Sequence, residues 1–105
     1  MKISLFIACL FFYVFAFANQ IEVCSSCEVT SIQAAVDLAQ DGDEVLVRSG
    51  IYKEHNIEIN KSIHVRGEGY PVVDGENKET IFKISADDFS VEGLEIINVG
   101  QSLSL

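Results

Sequence analysis

The chain has 105 residues, which is enough for one small domain, and its 7 basic and 16 acidic side chains give it a net charge of −9. An acidic surface repels nucleic-acid phosphates, so the composition argues against a nucleic-acid-binding protein. The hydrophobic fraction of 49% overstates the apolar content of the folded part, because much of it lies in the first eighteen residues.

Residues 1–18 have the pattern of a cleavable secretory signal. A basic start at Lys2 is followed by the apolar run Ile3–Phe17, and Ala16-Phe17-Ala18 places small residues where a signal peptidase reads the chain. The run of about 15 residues is shorter than the ~20 that a membrane-spanning helix needs. We expect cleavage before Asn19, export to the periplasm or alternatively to the cell exterior, and no stable membrane span afterwards. An uncleaved anchor or a buried helix is the alternative.

Residues 19–30 are predicted to be a leader that carries the pair Cys24-Ser25-Ser26-Cys27. A helix is predicted next, because apolar residues recur at the helical period in a stripe made of Ile32, Ala35, Val36 and Ala39. Thr30 or Ser31 can cap its first turn, and Asp41-Gly42-Asp43 is expected to end it.

From Glu44 onwards, short apolar stretches alternate with turn residues. They are Glu44–Arg48, Ile57–Ile59, Ile63–Arg66, Val72–Val73, Thr80–Ile84, Phe89–Val91 and Leu94–Ile97. Strands this short, with no helices between them, argue against a β-sandwich and against β-α-β units.

An internal repeat relates two of these regions. The segment Ile57–Gly67 aligns with Phe82–Gly93 at an offset of 25 residues, which becomes 26 after a one-residue insertion. A repeat of this size, built from short strands and tight turns, is typical of one turn of a β-solenoid. The helix would then cover the apolar first turn, with its stripe packed on Val45 and Val47.

The order of these motifs resembles the N-terminus of right-handed parallel β-helix proteins of the pectin-lyase-like superfamily. The elements that carry this resemblance are Ser31–Val36, Asp41-Gly42-Asp43 and Gly50–Glu54. The stretches Val65–Pro71 and Val73–Asn77, together with the early Cys-x-x-Cys, resemble more narrowly the NosD family, periplasmic accessory proteins for the maturation of nitrous oxide reductase.

The resemblance implies an all-β fold: a right-handed parallel β-helix with an N-terminal capping α-helix, occupying residues 31–105. It also implies a non-enzymatic role in delivering copper to nitrous oxide reductase, with that enzyme and an ATP-driven membrane transporter as partners. Relatives continue for many more coils, whereas roughly two coils fit here before Gln101–Leu105, so a truncated product is expected. The alternative function is a carbohydrate-binding or polysaccharide-processing β-helix.

Cys24 and Cys27 are the candidate site residues. Haem attachment is excluded because Glu28, not histidine, follows the pair. Thiolates suit the soft ion copper(I), so a metal site is one interpretation; a disulfide in an oxidising compartment and a thiol–disulfide exchange site are the others. No catalytic residue is predicted, and copper is the one cofactor considered. The histidines, His55 and His64, share no ligand motif with the cysteines.

Overall fold

The computed structural model describes residues 19–100, so the predicted signal peptide at 1–18 and the segment Gln101–Leu105 lie outside the described residues. Within this range there are nine strands and one short helix. In chain order the elements are β1 (Gln20–Val23), α1 (Ile32–Leu38), β2 (Glu44–Val47), β3 (Ile51–Lys53), β4 (Ile57–Ile59), β5 (His64–Gly67), β6 (Val72–Lys78), β7 (Phe82–Ile84), β8 (Ser90–Glu92) and β9 (Glu95–Val99).

The strands form three sheets, and every strand pair is parallel. The sheet orders are β1-β2-β5-β8, β3-β6-β9 and β4-β7. Because the chain visits the three sheets in turn, it forms a solenoid-like arrangement of about three turns. The sequence predicts roughly two; the difference arises because β8, at the end of the second aligned repeat, and β9 after it begin a third turn.

The strand register confirms the internal repeat. Ile57 lies opposite Phe82, and Val65 lies opposite Val91, which are the predicted offsets of 25 and 26 residues. The glycines that end the two repeats are stacked so closely that a Cβ on Gly67 would overlap the backbone carbonyl of Gly93. No other residue type fits there without a shift of the backbone, which explains why the repeat ends in glycine on both turns.

The interior is one apolar cluster built from inward-facing side chains of consecutive turns. Val45 and Val65 are fully buried in one row, and Tyr52 stacks on Val73 in another. The predicted helical stripe joins the same cluster as Val45 and Val47; its members are Ile32, Ala35, Val36 and Ala39. Full burial of a Val or Ile side chain stabilises a fold by about 1.5–3 kcal/mol, so these rows supply most of its cohesion.

Helix α1 begins after Ser31, whose Oγ accepts a hydrogen bond from the backbone N–H of Ala34 at 3.0 Å. The helix ends at Leu38, earlier than the Asp-Gly-Asp turn suggests. Asp43 in that turn is buried, and its carboxylate accepts from the N–H groups of Asn19 and Gln40 at 3.1 and 2.9 Å. The turn thus joins the end of the helix region to the start of β1.

Side chains from the first turn hold both ends of α1. The Glu54 carboxylate accepts from the N–H groups of Ile32 and Gln33 at 2.7 and 3.1 Å. At the other end, Lys61 Nζ donates to the carbonyl oxygens of Val36, Asp37 and Ala39 at 2.8–2.9 Å. The two ends of a helix leave backbone groups without intrahelical partners. Here a negative carboxylate binds N–H groups at the N-terminal end, and a positive ammonium group binds carbonyl oxygens at the C-terminal end, as the helix dipole favours.

Candidate functional site

The cysteine pair lies between β1 and α1. Cys24 and Cys27 are joined by a disulfide with a Cα–Cα separation of 5.0 Å, and both residues are half-buried. The Cys24 N–H donates to the Val29 carbonyl at 3.3 Å, and the Cys27 N–H donates to the Cys24 carbonyl at 3.2 Å. Val29 in turn forms a single parallel bridge with Val23, so the disulfide closes a tight loop on the outer edge of β1.

In this state neither sulfur is a thiolate, the form of cysteine that binds metal ions. Copper binding at the pair therefore requires reduction of the Cys24–Cys27 bond. Within residues 19–100, no three histidine, cysteine, aspartate or glutamate side chains converge into a group that could hold a metal ion. His64 Nδ1 lies 2.8 Å from Ser90 Oγ on the outer face of its sheet, and His55 is exposed in the corner after β3.

A cleft of about 580 Å³ opens beside the disulfide. Its lining combines acidic and apolar side chains with one of the two cysteines: Gln20, Ile21, Glu22, Cys27, Glu28, Val29 and Leu38. Leu38 projects from α1 with 63% of its surface exposed. The cleft makes the Cys27 side of the disulfide accessible to a reductant or a partner.

The outer face of the four-stranded sheet carries a polar network. Arg48 pairs with Glu22 at 2.6 Å and with Glu68 at 2.9 Å, so it joins three successive turns of chain. Arg66 Nε donates to Glu44 at 2.8 Å, and Gln20 donates to the same carboxylate at 2.6 Å. The hydrogen bond from Arg66, followed by that from Gln20, lowers the pKa of Glu44. Each charge is at least partly exposed, so solvent screening keeps the contribution of each pair to stability small.

Among the acidic residues that could belong to a polysaccharide-processing site, Asp74 has local structural partners. Asp74 Oδ1 accepts from Asn98 Nδ2 and from the Glu76 N–H, both at 2.9 Å, and the bond from Asn98 is the main cause of the lowered pKa of Asp74. Asp87 and Asp88 are exposed in the turn before β8. A second cleft, of about 420 Å³, lies on β4 and β7 and has one acid, Glu58, in its lining.

The sequence singled out the cysteine pair, and the structure places it where two elements meet. It did not single out Asp43, Glu54 or Lys61, which make the contacts that fix α1. Asp43 and Glu54 had a local signal, since they belong to the stretches Asp41-Gly42-Asp43 and Gly50–Glu54. Lys61 had none, because it binds residues more than 20 positions away and no short-range pattern identifies it.

Within residues 19–100 no helix has the length and hydrophobicity that a membrane crossing requires. Searches against protein-family models, curated protein sequences and solved structures return no match for this chain.

Proposed function

We propose that this chain forms a right-handed parallel β-helix and that α1 is its N-terminal cap. The support for the cap is a contact between a side chain and a strand edge. The Gln33 side-chain amide donates to the Glu58 carbonyl at 3.2 Å and accepts from the Glu58 N–H at 2.8 Å. Gln33 thereby occupies the edge of β4 that a preceding strand would otherwise use. The right hand follows from the strong preference of parallel crossover connections.

We further propose that the protein is an exported, non-enzymatic accessory protein for nitrous oxide reductase, working in the periplasm in copper delivery. The observation that carries this proposal is the position of the cysteine pair. Of the motifs that resemble the NosD family, the stretch Val65–Pro71 places Gly67 against the backbone of the next turn, whereas the Cys24–Cys27 disulfide borders an open cleft that is lined by Cys27.

The chemistry of the pair suits this role once the disulfide is reduced. Two thiolates three positions apart offer a two-sulfur site, and thiolate is a preferred ligand of copper(I). The loop is short and is held at Cys24 by the hydrogen bond to Val29, and Cys27 lines the cleft beside it. A partner enzyme or a transporter domain would approach through that opening.

Copper(I) titration of the reduced chain, in competition with a chromophoric chelator, tests the proposal. The parent protein, taken as the mature chain from Asn19 and therefore without Cys9 of the predicted signal, should bind about one copper(I) ion, a stoichiometry set by one two-thiolate site. The double variant Cys24→Ser with Cys27→Ser should lose this binding. The matched control, Ser25→Ala with Ser26→Ala, changes the same loop but retains both sulfurs and should bind as the parent does.

Equal stoichiometry and affinity in the parent and the double cysteine variant would show that the site is not the cysteine pair. A second experiment examines the partner. Deletion of the gene in a strain that makes nitrous oxide reductase should lower the copper content of that enzyme, and the parent gene should restore it while the double cysteine variant should not. Normal copper content after deletion, together with binding of the chain to a polysaccharide, would favour the carbohydrate alternative.

A further inference from the structure

The disulfide between Cys24 and Cys27 has an open approach at one of its two residues. Cys27 lines the cleft of about 580 Å³ beside β1, and the lining of that cleft does not include Cys24. A separate cleft of about 290 Å³ reaches the same loop at Ser25, and its lining contains neither cysteine. Among the described residues, a molecule in a cleft therefore meets the disulfide at Cys27.

Cys24 is anchored to the first strand and has a hydrogen-bond donor at its sulfur. It follows β1 directly, and its backbone N–H donates to the Val29 carbonyl at 3.3 Å. Its Sγ lies 3.6 Å from Ser26 Oγ. A disulfide sulfur carries no hydrogen, so the Ser26 hydroxyl is the donor in this contact. Negative charge that develops on Cys24 Sγ is therefore met by a donor already in place.

Thiol–disulfide exchange uses the two sulfurs of a disulfide differently. The attacking thiolate forms a bond to one sulfur, and the other sulfur leaves with the electron pair of the broken S–S bond. Attack requires access, and departure is favoured where a donor stabilises the leaving thiolate. Access selects Cys27 as the attacked sulfur, and the hydrogen bond from Ser26 selects Cys24 as the leaving one.

The cleft that leads to Cys27 is acidic. Its lining contains the carboxylates of Glu22 and Glu28, and Glu28 directly follows Cys27 and is exposed. Glu22 pairs with Arg48 at 2.6 Å, so Glu28 is the main source of negative charge at the attacked residue. A cleft with charge of one sign concentrates molecules of the opposite sign, which favours a cationic thiol over an anionic one.

We propose that the Cys24–Cys27 disulfide is reduced by the thiol of a cationic partner, which attacks Cys27 Sγ and releases Cys24 as a thiolate. When the partner is a dithiol, its second thiolate attacks the partner's own sulfur in the mixed disulfide and releases Cys27. The partner loses two electrons and becomes a disulfide, the cysteine pair gains them, and the two thiol protons pass to solvent or to the released cysteines. The inference rests on the proposed function for its purpose, because reduction produces the thiolates that would bind copper(I).

Trapping of the mixed disulfide tests which sulfur is attacked. The mature chain from Asn19, with its disulfide intact, is treated briefly with the cationic thiol cysteamine and quenched with N-ethylmaleimide, which caps the released cysteine. Tandem mass spectrometry should find cysteamine on Cys27 and maleimide on Cys24 in several-fold excess over the reverse product. Equal amounts of the two products, or an excess of the reverse one, would overturn the proposal.

The role of Ser26 as a positioning residue is tested by the rate of the same reaction. Ser26→Ala should slow the release of Cys24 several-fold, and Ser26→Thr, which keeps a hydroxyl, should restore most of the rate. Ser25→Ala is the matched control, because Ser25 lines the separate cleft. Equal rates for Ser26→Ala and Ser25→Ala would contradict the selection of Cys24 by Ser26.

The charge of the attacking thiol is tested by a ratio of rates. The ratio for cysteamine over the anionic 3-mercaptopropionate should fall roughly threefold in Glu28→Gln, the size expected of one exposed charge acting over a few ångströms of water. Glu92→Gln, on β8, is the control and should leave the ratio unchanged. An unchanged ratio in Glu28→Gln would remove the preference for a cationic partner.

These experiments separate the inference from the copper role. Copper(I) titration starts from the fully reduced chain and does not depend on which sulfur is attacked first. Selective attack at Cys27 in a chain that fails to bind copper would support the exchange and reject the proposed function. Copper binding in a chain that shows no selectivity would do the opposite.

Discussion

At the scale of single residues, the motifs that suggested a β-helix mainly make contacts with the backbone of neighbouring segments. Gly67 leaves room for the carbonyl of Gly93. Asp43 holds two backbone N–H groups with one buried carboxylate. Tyr52 is buried and donates its hydroxyl to the Arg48 carbonyl at 2.7 Å; burial is the main cause of its raised pKa. Such residues determine how one turn packs on the next. The candidate site residues, Cys24 and Cys27, are not among them.

Gly67→Ala should destabilise the protein by about 2 kcal/mol or more, as overpacking against backbone does. The added Cβ would meet the Gly93 carbonyl and the Pro71 Cδ, the latter at 2.8 Å. Urea unfolding followed by circular dichroism measures the change.

Gly42→Ala is the control for this variant. A Cβ on Gly42 has no atom within 4 Å, but the residue has φ of 92°. It should therefore lose only about 1 kcal/mol, the amount typical of backbone strain. If Gly67→Ala were as stable as the parent, the close stacking of the two repeats would be wrong.

Glu44 should make stability depend on pH in the acidic range. Its pKa is lowered in the folded state from the ordinary 4.5, chiefly by the hydrogen bond from Arg66. A carboxyl with a lowered pKa contributes stability above its unfolded pKa, and this contribution is lost as the pH falls below about 4.5 through the folded value.

Thermal melts of the parent and Glu44→Gln between pH 3 and pH 7 test this. The two proteins should differ at pH 7 and converge as the pH falls, because protonation removes the same charge that the substitution removes. A difference that grows towards low pH would contradict the direction of the shift. Glu92→Gln, on an exposed position of β8, serves as the control.

At the scale of elements, α1 depends on side chains from the first turn more than on its own sequence. A helix of seven residues is too short to be stable alone in water. Glu54 and Lys61 supply contacts to its two ends, Gln33 of the helix binds β4, and the apolar stripe supplies burial. The helix and β4 should therefore form and open together.

Lys61→Met should destabilise the protein by about 1–3 kcal/mol, because three carbonyl oxygens lose a charged donor while the aliphatic part of the side chain is retained. Hydrogen exchange in this variant, compared with the parent, should accelerate more at α1 and β4 than at β2 and β5. Lys53→Met, on an exposed strand position, removes the same charge and should leave both the stability and the exchange rates unchanged. Uniform acceleration in all strands would mean that α1 and β4 do not form a separate unit.

Many of these elements are predictable from the sequence. The helical stripe, β2, the strands from β4 onwards and the repeat register all follow from sequence patterns of period 3.6, 2 and 25. Strands β1 and β3 were missed: Gln20–Val23 offers one alternation inside what reads as a leader, and Ile51–Lys53 follows Gly50 in what reads as a turn. Strand β1 is recognised by its pairing with β2, and β3 by its pairing with β6. These partners lie too far along the chain to appear in a local sequence pattern.

One outward position also escapes local rules. Leu46 points away from the core cluster, between Glu22 and Arg66 in the register, yet it is only 5% exposed. Long charged side chains on neighbouring strands can cover an apolar residue with their aliphatic stems. The alternation of β2 therefore looks broken in sequence, because the strand neighbours of Leu46 lie 20 or more positions away.

At the scale of the whole molecule, stability comes from rows that run across the turns. The row Val45–Val65–Val91 crosses three turns, and its exposure rises towards the last of them, where Val91 is only partly buried. Exposed apolar side chains also concentrate in the third turn, at Phe89, Ile96 and Val99. Each turn contacts only its neighbours, so the first turns should be the most protected and the last the least.

Interstrand nuclear Overhauser effects in the isotope-labelled protein provide the decisive measurement of this stacking. Methyl contacts should connect Val45 with Val65 and Val65 with Val91, and backbone contacts should follow the parallel register of Ile57 with Phe82. Close Hα–Hα contacts between these strands, which mark antiparallel pairing, or the absence of contacts at separations of 20 to 26 residues, would contradict a parallel solenoid.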